Sequence, residues 1–406
     1  RNSRRGMQRR WVRLGSLYKL NFRKYTYFCS ENNLGDLISL GRGLFSTKFR
    51  EEALREFPRV FSKVVDRKHS FTFGSGRMAL FAILKAINIS PGDEVIIQAF
   101  TCNVVPRAII ALGAVPVYAD IEKTNFNINF DSADQLVTKK TKAIIVQHTF
   151  GIKPDIIKLR KFLKKHKMDV IEDCAHCVTP IVKTDLDLDK RLVFFSTDHT
   201  KLINTHVGGL ASCDDSVIAG RLETIQLESR PIRCVDKIKI IISLFFEVLS
   251  HQSYLYHLMR PVFYLFRKSP LYFCWDDKHN CAINDSRLGG MYQLSWIQAV
   301  MGLRQIKNVT EIVSQRITLS RILNEKYHYY DSDNQLPYLR FAFLVDNRDM
   351  FYASNYRMIR HSTWFKDVIT GGDDFYKEIK YDIGSCPDAE YVASKVVNLP
   401  LSSKIS

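Results

Sequence analysis

The run Gly74-Ser75-Gly76-Arg77-Met78-Ala79-Leu80-Phe81-Ala82-Ile83-Leu84, followed by Pro91-Gly92-Asp93 and then Glu94-Val95-Ile96-Ile97-Gln98, decides the fold class. A glycine-rich turn opens an apolar stretch whose length before Pro91 suits a helix of about three turns. Pro-Gly-Asp then turns the chain into a short buried strand. The alternation continues outward from there. Residues 104–112 read as a helix stopped by Gly113, and 115–120 as the next strand. Residues 143–147, 170–173 and 192–196 are further strands, and Asp155 caps a helix over 156–165. A Gly-Gly strand follows at 207–212. Short apolar strands joined by helical crossovers predict an α/β fold with a mostly parallel sheet covered on both faces. Ligands bind outside the carboxyl ends of such strands. That rule singles out Gln98 to Asn103, His148, Asp173 to His176 and Ser196 to Lys201.

The rest of the chain reads differently. Its 406 residues are 46% hydrophobic and 25% charged, which excludes a mainly disordered protein and leaves material for two or three domains, or a large domain with a small partner. No internal period is present, so repeat architectures are excluded. Lys+Arg 59 against Asp+Glu 42 leave a net charge of +17, which suits an anionic partner. Arg1, Arg4, Arg5, Arg9, Arg10, Arg13, Lys19, Arg23 and Lys24 crowd the first thirty residues, which hold no acid. The spacing of Trp11, Leu14, Leu17 and Tyr18 allows a basic helix on an anionic surface; a solvated tail is the plainer alternative. We divide the chain into this basic arm at 1–30, a large α/β domain at 31–225, a helical aromatic-rich insertion at 226–280 and a smaller α+β domain at 281–406. Within these we expect a helix around residues 50–57, a long helix running from Arg287 through Ile306, a strand over 338–345 and a helix over 350–358. The longest apolar stretch, 238–266, is broken by Lys239, Glu247, His251, His257 and Arg260, so no segment is expected to span a bilayer.

Nine cysteines, an odd number in a large chain, argue against a disulfide framework and for a reducing compartment. Cys174 and Cys177 form a C-x-x-C with His176 inside it. No second pair stands at metal-ligand spacing, so no metal site is expected.

Three features carry chemistry. Gly74-Ser75-Gly76-Arg77 offers free N–H groups at a helix start, which suits a phosphate, and Arg77 opposes the helix dipole unless an anion is present. A plain turn is the bland reading. Asp173 at the end of a buried strand needs a partner, which His176 could be; a helix cap is the bland reading. Lys201 follows a strand and precedes the Gly-Gly strand. A desolvated lysine there is a nucleophile toward carbonyl groups, whereas most loop lysines are simply solvated.

The motifs fall in order: Gly-Ser-Gly-Arg at 74–77, Pro-Gly-Asp-Glu-Val at 91–95, Ala-Phe-Thr-Cys at 99–102, Gly-Ala-Val-Pro-Val at 113–117, Ile-Glu-Asp-Cys-Ala-His at 171–176, and Ser196 with Lys201. Met291 to Gln305, Cys386-Pro387-Asp388-Ala389-Glu390-Tyr391 and Val397-Asn398-Leu399-Pro400 extend the match. In this order the chain resembles the DegT/DnrJ/EryC1/StrS family of pyridoxal-phosphate sugar aminotransferases, over roughly residues 70–215 and 287–400. The resemblance implies the aspartate aminotransferase fold (fold type I), with a smaller C-terminal α+β domain. It implies pyridoxal 5′-phosphate as cofactor. Lys201 would hold it covalently and shuttle protons, Asp173 would face its pyridine nitrogen, and His176 would touch the ring's 3-oxygen. Gly76, Arg77, Met78 and Ser196 would hold the phosphate; Cys102 stands at the ring where relatives often carry a stacking aromatic, so Phe100 or another residue would cover that face, or none would. His206-Val207-Gly208-Gly209 replaces a common Gly-Glu-Gly-Gly run, and the end at Ser406, where relatives continue into a last helix, leads us to expect a truncated C-terminus.

The implied activity is amination of a nucleotide-linked keto-sugar, with glutamate as donor, in surface polysaccharide or secondary-metabolite sugar biosynthesis. A sugar dehydratase would carry His where Lys201 stands, and a non-catalytic regulator on the same scaffold is the reading from another class. The implied partners are the sugar nucleotide, the amino-acid donor and a second copy of the chain, with no nucleic acid. The implied location is cytoplasmic. Aromatics mixed with cations at 238–275, together with the basic arm, add an expected peripheral contact with an anionic membrane, against the plainer expectation that this segment packs on protein.

Overall fold

A computed structural model describes residues 31–180, 188–250, 256–273, 291–331, 336–355, 364–370 and 376–402. The basic arm at 1–30 lies outside the described residues, as do 274–290 and 356–363. Two helices lead in: α1 (Leu34–Phe45), started by an Asn33–Asp36 capping box, and α2 (Thr47–Val64). The helix expected around 50–57 is part of α2, which runs on through Pro58 because Phe57 and Phe61 bury its apolar face in the core.

The large sheet contains β1 (His69–Phe73), β2 (Glu94–Gln98), β3 (Val115–Ala119), β4 (Thr141–Gln147), β5 (Asp169–Asp173), β6 (Leu192–Ser196) and β7 (Gly209–Cys213), in the spatial order β1-β7-β6-β5-β4-β2-β3. From β6 to β3 all neighbours are parallel, and β7 runs antiparallel to both β6 and β1. The expected parallel sheet is therefore mixed at one edge. β1 is not legible in the sequence, since only Phe71 and Phe73 of its five residues are apolar.

Helices α3 (Gly76–Ala86), α4 (Val104–Ile110), α5 (Phe130–Gln135), α6 (Ile156–Lys165) and α7 (Ser216–Glu228) cover the sheet. Asp155 caps α6 by accepting from the N–H groups of Ile157 and Lys158, as its sequence requires. Helix α3 is apolar on nearly every side and buried on nearly every side, because it lies between the sheet and its neighbours α4 and α7.

After α7 the chain makes a helical pair, α8 (Cys234–Ser250) and α9 (Tyr256–Phe266). The long helix expected from Arg287 begins later. Residues 291–293 bond to Gly74 and Arg230 in extended form, and Ser295 with Gln298 caps α10 (Trp296–Ile306). Helix α11 (Val309–Tyr327) follows after a break. Strand β8 (Arg340–Leu344), helix α12 (Arg348–Asn355), helix α13 (Pro387–Lys395) and strand β9 (Val396–Pro400) complete the order, with β8 and β9 antiparallel. Helix α10 packs on α1 and α2, whereas β8 and β9 share a core with Phe100, Phe126 and Phe150 of the large sheet's loops.

Candidate active site

Register brings the chemistry to one edge. Gln147 pairs with Asp173, Asp173 with Phe194, Ser196 with Gly209 and Gly209 with Phe73. The carboxyl ends of β4, β5 and β6 therefore meet the loop between β1 and α3. A cavity of about 390 Å³ opens there, lined by Gly76, Arg77, Asp173, His176, Ser196 and Lys201 together with Cys102 and Trp364.

One wall is the start of α3. Ser75 caps the helix by accepting from Met78 N–H at 3.2 Å, and Gly76 and Arg77 of the first turn line the cavity. The space is tight by construction. A Cβ at Gly76 would stand 2.9 Å from Ser196 Cβ, and one at Gly209 would stand 2.4 Å from Gly76 N. Two glycines thus let β7, Ser196 and the α3 N-terminus close into a small cradle with a positive dipole end. Arg77 is buried beside it.

Asp173 ends β5 and accepts from Ala175 N–H at 2.9 Å. Burial pushes its carboxyl up to about 6, against the lowering effects of that hydrogen bond and of Lys201. The Lys201 amine is pushed down by burial, with Asp198, Cys102 and Asp173 opposing. It sits over the Trp364 ring, 4.4 Å from the centroid. The His176 Nδ1 accepts from Phe150 N–H at 3.1 Å, so the ring's proton resides on Nε2. Burial, with Lys201 and Arg340 nearby, drives this imidazole well below its ordinary range and keeps it neutral. Phe150, Trp364 and Phe365 pack against its faces.

Of the residues assigned to the cofactor, Gly76, Arg77, Cys102, Asp173, His176, Ser196 and Lys201 meet here, and Phe100 and Met78 do not. Phe100 is fully buried against Phe126, Phe150 and Phe365, away from the cavity, so it covers no bound ring. Met78 gives its N–H to Ser75 and buries its side chain in the core, so it offers a phosphate nothing. The structure adds Trp364 and Phe365 from the C-terminal part, and Arg267 and Phe273 from the region of the helical pair. None carried a local signal, because only tertiary packing brings them in. His206, which departs from the common motif, serves the packing. Its Nε2 meets Phe273 O at 2.7 Å, and Glu247 on α8 accepts from Asn204 Nδ2 at 2.6 Å. The helical pair is thereby tied to the loop that carries Lys201.

Beneath the cavity the fold supplies what the C-x-x-C lacked. His148 joins Cys174 and Cys177 in one buried cluster. Burial opposes charge on His148, yet Cys177 and Glu172 beside it raise it to about 10. Burial likewise opposes the Cys177 thiolate, but Cys174 and His148 outweigh it and hold that thiol low, while Cys174 is pushed high. Cys102, Cys174, Cys177, Cys213, Cys234 and Cys386 are free thiols.

Residues 44–239 match the model of the DegT/DnrJ/EryC1/StrS aminotransferase family. The chain is 33% identical over 175 residues to the spore coat polysaccharide biosynthesis protein SpsC of Bacillus subtilis, covering 43% of this chain and 45% of that protein. The match spans about half the length of the curated relatives. Among solved structures, the aminotransferase from Psychrobacter cryohalolentis superposes with a TM-score of 0.69 at 18% identity, over 94% of this chain and 95% of that one. The E. coli GDP-4-keto-6-deoxy-D-mannose-3-dehydratase, solved with bound hydrated PLP, superposes with a TM-score of 0.68 at 17% identity, over 93% and 95%. These two likenesses establish the fold, the α/β architecture expected from the strand pattern. Among the described residues no helix is long and apolar enough to cross a membrane.

Proposed function

From the match of residues 44–239 to the DegT/DnrJ/EryC1/StrS aminotransferase family, we propose that the chain is a member of that family and aminates a nucleotide-linked keto-sugar, with pyridoxal 5′-phosphate as cofactor and glutamate as amino donor. The observation that carries the reading is that Lys201, Asp173, His176 and the α3 cradle share one cavity.

The residues present fit the cofactor. The cradle of Gly76, Arg77 and Ser196, kept open by two glycines, suits a phosphate. Asp173 offers the pyridine nitrogen a carboxylate, and neutral His176 offers its Nε2–H to the ring oxygen. When bound, the cofactor supplies an electron sink next to the reacting carbon. The chain's own residues do the rest. The Lys201 amine, shifted toward its neutral form by burial, can attack a carbonyl, and once freed it can take a proton and return it. Asp173 would hold a proton at the ring nitrogen of the bound cofactor. Trp364 and Phe365 shield the Lys201 side of the cavity from water.

Arg267 lines the cavity apart from the cradle, and an arginine there suits a diphosphate-linked sugar. Lysine rather than histidine at 201 favours amination over dehydration. The test is a product-mass screen of purified enzyme against keto-sugar nucleotides with glutamate. An amino-sugar product is expected. Turnover only to a deoxygenated sugar would overturn the reading.

We propose further that the protein works as a homodimer, read out by light scattering, and that the helical pair makes peripheral contact with anionic membrane. Leu258, Tyr264, Leu265 and Leu271 are exposed there, and Lys268 lies over the Tyr264 ring at 4.8 Å. Co-sedimentation with anionic but not neutral vesicles, reversed by salt, supports the contact; equal recovery in the supernatant refutes it.

A further inference from the structure

Directly under Asp173 lies a cluster that the amination chemistry does not use. His148 ends the β4 strand path, and Cys174 and Cys177 frame the turn that carries His176. All three are almost wholly buried, and their donor atoms lie within 4.8 Å of one another. Among the described residues this is the one such group of potential metal ligands. We propose that it is a binding site for a thiophilic divalent cation of the zinc class, with His148 Nδ1, Cys174 Sγ and Cys177 Sγ as ligands.

The surroundings favour a ligand over a plain core. His148 Nε2 meets Glu172 Oε2 at 3.0 Å, and Glu172 Oε1 accepts from Arg67 Nη2 at 3.0 Å. A carboxylate can only accept, so Nε2 carries a proton, and a cation at Nδ1 would displace the second proton that the ring otherwise holds beside the Cys177 sulfur. That Nδ1 is buried, with the sulfur of Cys177 beside it and no nitrogen or oxygen partner. A carboxylate fixing the outer nitrogen of a buried histidine, with the inner one turned toward two sulfurs, is the support that zinc-binding histidines use. The charges close as well. Two thiolates offset a divalent cation, and Arg67 offsets Glu172, so the loaded cluster adds no net charge to the interior. Zinc at about 2.3 Å from sulfur and about 2.0–2.1 Å from nitrogen sets its ligands roughly 3.5–3.8 Å apart, so loading draws the cluster in by no more than about 1 Å.

The site would act on structure rather than on substrate. His148 N–H donates to Asp173 O at 3.1 Å, and Cys177 N–H to Cys174 O at 3.3 Å. A cation bridging these residues would pin the turn that presents Asp173 and His176. This inference stands apart from the proposed reaction and holds or fails whatever the substrate is.

The test uses the full chain purified under reducing conditions, exposed to zinc and then freed of loose metal by gel filtration. One zinc per chain is expected. Cobalt in its place should give a thiolate-to-cobalt charge-transfer band in the wild-type protein, which needs no variant to interpret. Cys177→Ser should abolish retention, and Glu172→Gln should lower affinity by about 10–100-fold through loss of the support to His148. Absence of retained zinc, or cobalt bound without that band, would overturn the proposal. So would a Cys174–Cys177 disulfide in fresh protein found by mass spectrometry without reductant, which would make the pair a redox couple.

Discussion

Replacing Gly209 by alanine tests the cradle in isolation. Gly209 lies on β7 beside the start of α3, and its backbone is not in the left-handed region, so only space is at issue. The added Cβ would meet Gly76 N at 2.4 Å, Gly76 Cα at 2.5 Å and Ser75 C at 2.5 Å. All three are backbone atoms, and no side chain can swing aside to relieve them. Overpacking of this kind costs about 1–3 kcal/mol, and here the strain falls on the N–H groups assigned to the phosphate. A loss of ~1.4 kcal/mol in binding is tenfold in affinity, so Gly209→Ala should weaken cofactor binding by about tenfold or more. The control is Gly220→Ala. Gly220 lies within α7 with nothing near its would-be Cβ, and alanine there should stabilise by ~0.5–1 kcal/mol. The assay is titration of apo-protein with pyridoxal phosphate, followed by absorbance, with thermal unfolding of both variants alongside. Gly209→Ala that binds within twofold of wild type and melts with it would refute the cradle.

Asp173→Asn should cut turnover by more than tenfold, ~1.4 kcal/mol of barrier, since a neutral amide cannot hold the ring nitrogen protonated; steady-state rates at saturating cofactor read this out. Arg77→Ala should weaken cofactor binding by about one to two decades with a smaller effect on rate, from the loss of a charge-assisted contact of ~1.5–3 kcal/mol. Glu247→Ala removes one of the two acceptors of Asn204 Nδ2, leaving the His199 carbonyl, and should lower stability by about 1–3 kcal/mol, seen as a lower melting temperature with the cofactor site still loadable.

The strands β2, β4, β5 and β6 are readable because each is a short apolar run between turn residues, α3 because a glycine-rich turn opens an apolar run of helical length, and α6 because Asp155 caps it. Strand β1, His69-Ser70-Phe71-Thr72-Phe73, has polar residues between its aromatics and takes its place only by pairing with β7. The antiparallel setting of β7 was hidden for the same reason: it is a property of pairing, not of the strand itself. Within the site, Lys201, Asp173, His176, Arg77 and Ser196 were legible as residues at strand ends and the turns that follow them. Phe100 was misplaced because adjacency to Cys102 in sequence does not give a side chain's direction, and at 0% exposure it belongs to the aromatic core. Met78 failed because Ser75 captures its N–H, a detail of the cap geometry. Arg267 and Trp364 come from segments far along the chain, and the third member of the thiol cluster, His148, lies 26 residues before Cys174, beyond any local spacing rule.

The most direct measurement is to load the protein with pyridoxal phosphate, reduce it with borohydride and map the modified peptide by mass. The account predicts one cofactor per chain attached at Lys201, and none in a Lys201→Ala variant that keeps its fold by circular dichroism. A cofactor fixed to any other lysine, or wild-type protein that takes up none, would contradict it.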